Sequence, residues 1–156
     1  MTTDAGQPGA ARLTTITSLL APSDLAEALV LSIEEFGMTV FARFDHAEAA
    51  CGVGLALRPT EVVVFGSPLA GTALMAAAPT AALDLPLRAL IWQDSDGATC
   101  LTTEDPGELA ARHGVPDALA PVIAAMRSAL NSVTREAAGG RPESLSTPSA
   151  DIDTRH

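Results

Sequence analysis

The sequence contains no lysine and no tyrosine. Its positive charge comes from nine arginines alone, set against 19 acidic residues, for a net charge of −10. Such a surface repels a phosphate backbone, and no run of basic residues offsets the repulsion. Nucleic acid is therefore not an expected partner, and neither is an anionic membrane surface. Aromatic side chains are scarce: Phe36, Phe41, Phe44, Phe65 and Trp92 are too few for a platform that stacks single strands. The only cysteines, Cys51 and Cys100, form no Cys-x-x-Cys pair and no disulfide framework. Two reduced, buried thiols in a cytoplasmic protein are the expectation. Residues 1–11 have neither a basic stretch nor an apolar one, so no signal peptide is expected there.

One long uncharged run does occur, from Val62 to Leu83, 22 residues that could in principle span a bilayer. Pro68, Pro79, Gly66 and Gly71 interrupt it, and its composition shifts from β-branched to alanine-rich near Gly66. A buried strand, a turn and a buried helix account for it better than a membrane span. What remains is a chain of 156 residues, 47% apolar and 18% charged, long enough for one domain with its own core. Thirty alanines mean that much of this core is built from small side chains.

Leu13 to Leu19 is threonine-rich and β-branched and reads as a strand. Pro22, Ser23 and Asp24 open a helix, with Asp24 and Glu27 at capping-box spacing, although Ser23 could cap instead. Leu25, Ala28, Leu29, Ile33 and Phe36 form its apolar face, and Gly37 is a natural stop. Met38 to Asp45 alternates as a strand does, and His46 to Cys51 reads as one or two helical turns. Val62 to Phe65 is a strand, Gly66 to Gly71 a loop, and Thr72 to Ala78 a short helix. Leu87 to Gln93 and Ala98 to Thr103 flank the turn residues Asp94-Ser95-Asp96-Gly97 as a hairpin. Helices are predicted over Pro106 to His113 and Pro121 to Ala138. The pattern predicts an α+β single domain over 12–138, with a mainly antiparallel sheet packed against helices in two layers. Residues 1–11 are expected to be flexible, and 139–156, with two prolines and no periodicity, to form a disordered tail.

Several linked segments carry a resemblance: Asp45-His46-Ala47, Gly54-Leu55, Leu57-Arg58-Pro59-Thr60, Phe65-Gly66, Pro68, Gly71-Thr72, Leu74-Met75, Pro79 and Ala82 to Arg88. In this 44-residue stretch the chain resembles the domain of unknown function 302 family. The resemblance implies a compact domain with a sheet on one side and helices on the other, and a homodimer. It implies no established activity.

Gly66-Ser67-Pro68-Leu69-Ala70-Gly71 has the glycine spacing of a phosphate loop, but Thr72 and Ala73 stand where lysine and a hydroxyl residue belong. Nucleotide hydrolysis is excluded. Backbone amides at a helix starting at Thr72 could hold a small anion, and the alternative is a tight turn that needs glycine geometry. Asp45-His46 could be an acid–base couple, the alternative being a capping aspartate beside a surface histidine. Arg58 and Arg88 each lie beside an apolar strand. They could clamp an anionic ligand, or pair with Asp45 and Asp84 to hold loops or a dimer together. His46, Cys51 and His113 have no metal-ligand spacing, and Asp94-Ser95-Asp96-Gly97 lacks the positions of a calcium loop. No metal and no cofactor are expected.

The sequence thus predicts a homodimeric small-molecule or anion binding or assembly module with no demonstrated catalysis. Its candidate ligand residues are Asp45, His46, Arg58, Gly66, Gly71, Thr72 and Arg88. The rival is a small enzyme with His46 as general base and Arg58 orienting an anionic substrate.

Overall fold

The computed structural model describes residues 12–139. Residues 1–11 and 140–156, on which the flexible-terminus and disordered-tail expectations fall, lie outside the described residues. Five strands form one open sheet: β1 (Leu13–Ser18), β2 (Thr39–Asp45), β3 (Thr60–Gly66), β4 (Leu87–Gln93) and β5 (Thr99–Glu104). Their order is β1-β5-β4-β3-β2, and every neighbouring pair is antiparallel. The helices are α1 (Pro22–Glu35), α2 (His46–Gly52), α3 (Pro68–Ala77), α4 (Pro106–His113) and α5 (Ala120–Gly139), with 3-10 turns at Pro79–Leu83 and Asp117–Leu119. The predicted two-layer α+β domain is the fold observed.

The topology follows from which connections are short. The β4–β5 hairpin closes on Asp94, whose carboxylate accepts from the amides of Asp96 and Ala98, both at 2.9 Å. The edge strands β1 and β2 run in the same direction at opposite ends of the sheet, so α1 must cross the whole sheet between them. It does so on a face built from Leu25, Leu29 and Ile33, all fully buried and spaced four residues apart. The strand residues beneath are Val63, Phe65, Ala89, Ile91 and Leu101. Leu74 of α3, Leu109 of α4 and Met126, Leu130 and Val133 of α5 complete this one core.

Local signals account for the helix ends, with three corrections to the sequence expectations. At the end of α1, Gly37 takes φ +75°. Its amide donates to Glu34 and that of Met38 to Ile33, a Schellman closure that only an αL residue permits cheaply. The start of α1 is not capped by Asp24 or Ser23. Pro22 opens the helix, so the cap position falls on Ala21, which has no side-chain bond, and Asp24 lies in the first turn where its charge suits the helix dipole. The predicted loop at Gly66 to Gly71 is largely helical, because α3 begins at Pro68 and Gly71 lies inside it. Finally, α5 runs to Gly139, one residue into the predicted tail.

Candidate functional site

The residues of the Gly66–Thr72 segment line a concavity of the described structure. It lies where β3 ends and β4 begins, between α3, α5 and the turn from α1 into β2, and encloses about 880 Å³. Phe36, Met38 and Phe41 form one wall, Met75 of α3 a second, and Val122 and Met126 of α5 a third. Gly66, Gly71 and Thr72 all face this space, so three of the seven expected ligand residues converge here. None of its lining residues is charged.

The chemistry of that segment differs from expectation. Thr72 is not at a helix start, so its amide is not free to hold an anion. The start is at Pro68, where proline has no N–H to satisfy and Ser67 accepts from the Ala70 amide over a long 3.5 Å bond. Neither Gly66 nor Gly71 has a positive φ. A methyl group added at Gly71 would meet only Met75 Cε at 3.9 Å, so no glycine-specific turn exists here.

Asp45, His46, Arg58 and Arg88 are distributed elsewhere. Asp45 caps α2 by accepting from the Glu48 amide at 2.9 Å. His46 is exposed at the start of that helix, and no hydrogen bond joins it to Asp45 or Arg58 among the described residues. Arg58 is exposed, and its carbonyl accepts from the Thr60 hydroxyl at 2.9 Å. Arg88 reaches Asp84 at 3.4 Å, as the Arg–Asp alternative expects.

The densest polar cluster was not legible in sequence. Asp84 accepts from His113 Nε2 at 2.6 Å and from Arg112 at 2.7 Å, and Arg112 also pairs with Glu104. His113 Nδ1 meets the Thr80 hydroxyl at 3.0 Å. The hydrogen bond from His113, then that from Arg112, holds the Asp84 carboxyl below its ordinary range. The cluster fastens the end of α4 to the turn before β4. Asp105, which caps α4 through the Gly107 amide, is likewise lowered, first by Arg127. Among the described residues no group of three His, Cys, Asp or Glu is placed to hold a metal ion.

A second surface is only partly covered: Phe44 is exposed there, and Val62, Val64, Leu90 and Trp92 are half-buried. The face of the sheet opposite the core carries Phe44, Val62, Val64, Leu90 and Trp92, and no helix of the core covers it. Trp92 Nε1 donates to the Thr102 hydroxyl, and that hydroxyl bonds Thr15, so hydrogen bonds between side chains tie this face across three strands, β4, β5 and β1. Beyond β2, helix α2 has no buried residue. The stretch from Ala49 to Leu57 has no charge, yet Val53, Leu55 and Leu57 are 73%, 66% and 51% exposed. This arm is nonetheless built: Gly54 at φ +77° closes a second Schellman motif, with Leu55 donating to Ala50 and Gly54 to Cys51. Cys51 is exposed on it, against expectation, whereas Cys100 is buried and desolvation pushes its thiol up.

Comparison with known proteins adds the following. The model of the family described as "Domain of unknown function DUF302" matches residues 14–133. The crystal structure of an uncharacterized conserved DUF302 protein from Bacillus stearothermophilus superimposes with a TM-score of 0.72 at 18% identity, covering 80% of this chain and 97% of that one. Two curated relatives, Fluoride-specific ion channel FluC 1 of Brucella suis biovar 1 (strain 1330) and FluC 1 of Brucella abortus biovar 1 (strain 9-941), are each 41% identical over 127 residues. That match takes in 81% of this chain but 50% and 47% of theirs, so the chain spans about half the length of these relatives.

Proposed function

This chain belongs to the DUF302 family, and from that premise we propose that it is a homodimeric binding and assembly module rather than an enzyme. The observation that carries the reading is the apolar arm at Ala49 to Leu57, which is hydrogen-bonded into one shape but buries none of its large side chains. Monomeric proteins rarely leave such a contiguous patch in water. The open sheet face adjoins it. Five strands about 4.8 Å apart, with residues at about 3.4 Å, give a footprint of roughly 500 Å². The arm extends this toward the roughly 800 Å² per partner of a stable interface. A two-fold contact that lays each arm against the other copy's sheet satisfies both surfaces at once.

The curated relatives bear on the reading. They are named as fluoride channels, yet among the described residues of this chain no helix is long and apolar enough to cross a membrane. We therefore assign conduction in those relatives to the half this chain does not match, and a binding or assembly role to the half it does. A cytoplasmic location is part of this reading. Catalysis by His46 with Arg58 draws no support from the geometry, since the two are exposed and no hydrogen bond links them.

Sedimentation equilibrium at micromolar concentration tests the assembly. Twice the 15.9 kDa chain mass is expected for the wild type. Leu55→Asp is expected to return the monomer with an unchanged circular dichroism spectrum, because a carboxylate cannot be buried unpaired in an apolar contact. A monomeric wild type, or a Leu55→Asp dimer as tight as the wild type, overturns the proposal.

A further inference from the structure

We propose that the groove between α3, α5 and the α1–β2 turn binds a neutral, predominantly apolar small molecule whose single polar group meets Ser67 and Thr72. The inference is independent of the dimer, because the groove lies at the end of the sheet where β2 begins and the arm follows the other end of that strand.

Its volume of about 880 Å³ falls within the roughly 300–1,000 Å³ typical of small-molecule sites. The charge pattern then selects the ligand. The protein carries −10 overall, yet every lining residue is uncharged. An ionised ligand would lose hydration there and gain no counter-charge. The walls are Phe36, Phe41 and the thioethers of Met38, Met75 and Met126, which adapt to an apolar body without demanding one shape. Hydroxyls stand on one side only. Thr72 lies on the exposed face of α3, and among the described residues no hydrogen bond engages its hydroxyl, whereas Thr134 of α5 bonds back to its own helix. Among the described residues the Ser67 hydroxyl is engaged only by the long bond it accepts from the Ala70 amide. A ligand hydroxyl, amine or carbonyl thus has two partners at this end, and the rest of the space offers apolar contact.

A pair of fluorescent probes of matched size separates the alternatives. N-phenyl-1-naphthylamine is neutral with one N–H, and 8-anilinonaphthalene-1-sulfonate adds a fixed negative charge. Titrated against the full chain, the neutral probe is expected to bind saturably at one per chain, at least about tenfold more tightly than the anionic one. Ala125→Phe and Gly71→Leu, which place bulk in the groove from α5 and α3, are each expected to weaken the neutral probe by about tenfold or more while leaving the sedimentation mass unchanged. Two variants from separate helices guard against one failing to fold. Non-saturable binding, preference for the anionic probe, or full affinity in both variants overturns the inference. So does neutral-probe binding that appears only on dilution to monomer, which would mean that a second copy occupies the groove.

Discussion

The two faces of the sheet are made from the same strands and alternate residue by residue, yet they end in different environments. On one, Val63, Phe65, Ala89, Ile91 and Leu101 lie under four helices and are almost fully buried. On the other, Phe44 keeps 54% of its surface and Leu13 62%. The difference is not one of hydrophobicity, since Val62, Val64, Leu90 and Trp92 are as apolar as the residues they alternate with. It lies in what the connections supply. The crossover α1 and the segments after β3 and β5 all return to one side, and helix α2, which lies outside that core, buries nothing of its own. Among the described residues no helix of the core covers this face, and the proposed dimer contact would use it.

The comparison breaks most sharply on paired truncations. Phe65→Ala removes a ring from the covered face and is expected to cost about 3–5 kcal/mol, lowering the thermal midpoint by at least about 6 °C. Phe44→Ala, on the open face, is expected to cost the monomer about 1 kcal/mol or less, with its main effect on sedimentation mass. Equal losses of stability, measured on the monomeric Leu55→Asp background, would mean that the faces do not differ as described.

A smaller effect sharpens how the covered side is held. Asp84→Ala removes the acceptor from His113, whose side chain is only 9% exposed. A fall in midpoint of about 2–4 °C at neutral pH is expected, the equivalent of one hydrogen-bonded pair. The pH dependence has a definite sign. The Asp84 carboxyl is held below its ordinary 3.8 in the folded state, so its contribution is present above that value and is lost as pH falls through the lower, folded one. The gap between wild type and variant is therefore expected to narrow in acid melts as pH falls from 3.8 through the lower, folded value. A gap that persists there would assign the loss to packing.

The smallest effect is a gain. Gly71→Ala places a methyl group inside α3 with only Met75 Cε near it, at 3.9 Å. Urea denaturation is expected to show stabilisation by about 0.5–1 kcal/mol. Destabilisation would restore the reading of Gly71 as an obligatory turn residue.

That glycine shows where local reading stops. Ser67 and Pro68 are a legible helix start, a capping hydroxyl before a proline at the first position, yet the pair Gly66 and Gly71 reads as a loop when taken alone. Propensity is a weak prior, and α3 is helical because Leu74 enters the core. Asp45 shows the opposite case. Its role as a cap was legible because the bond to Glu48 spans three residues, whereas Asp84 and His113 are 29 positions apart and no spacing rule connects them.

The sequence by itself determined the alternation of the strands, the stop at Gly37, the hairpin turn at Asp94 to Gly97, the α+β class and the family, because each depends on neighbours within a few residues or on a dense run of motifs. It also held Gly66, Gly71 and Thr72 together, since five residues of chain cannot separate them. Only the tertiary structure decided that these three line an uncharged groove while Asp45, His46, Arg58 and Arg88 disperse. Only it decided which apolar face the helices of the core cover and which they leave open among the described residues. Both outcomes depend on the side to which each connection returns, a property of long-range packing that residues as alike as Val62 and Val63 cannot encode alone.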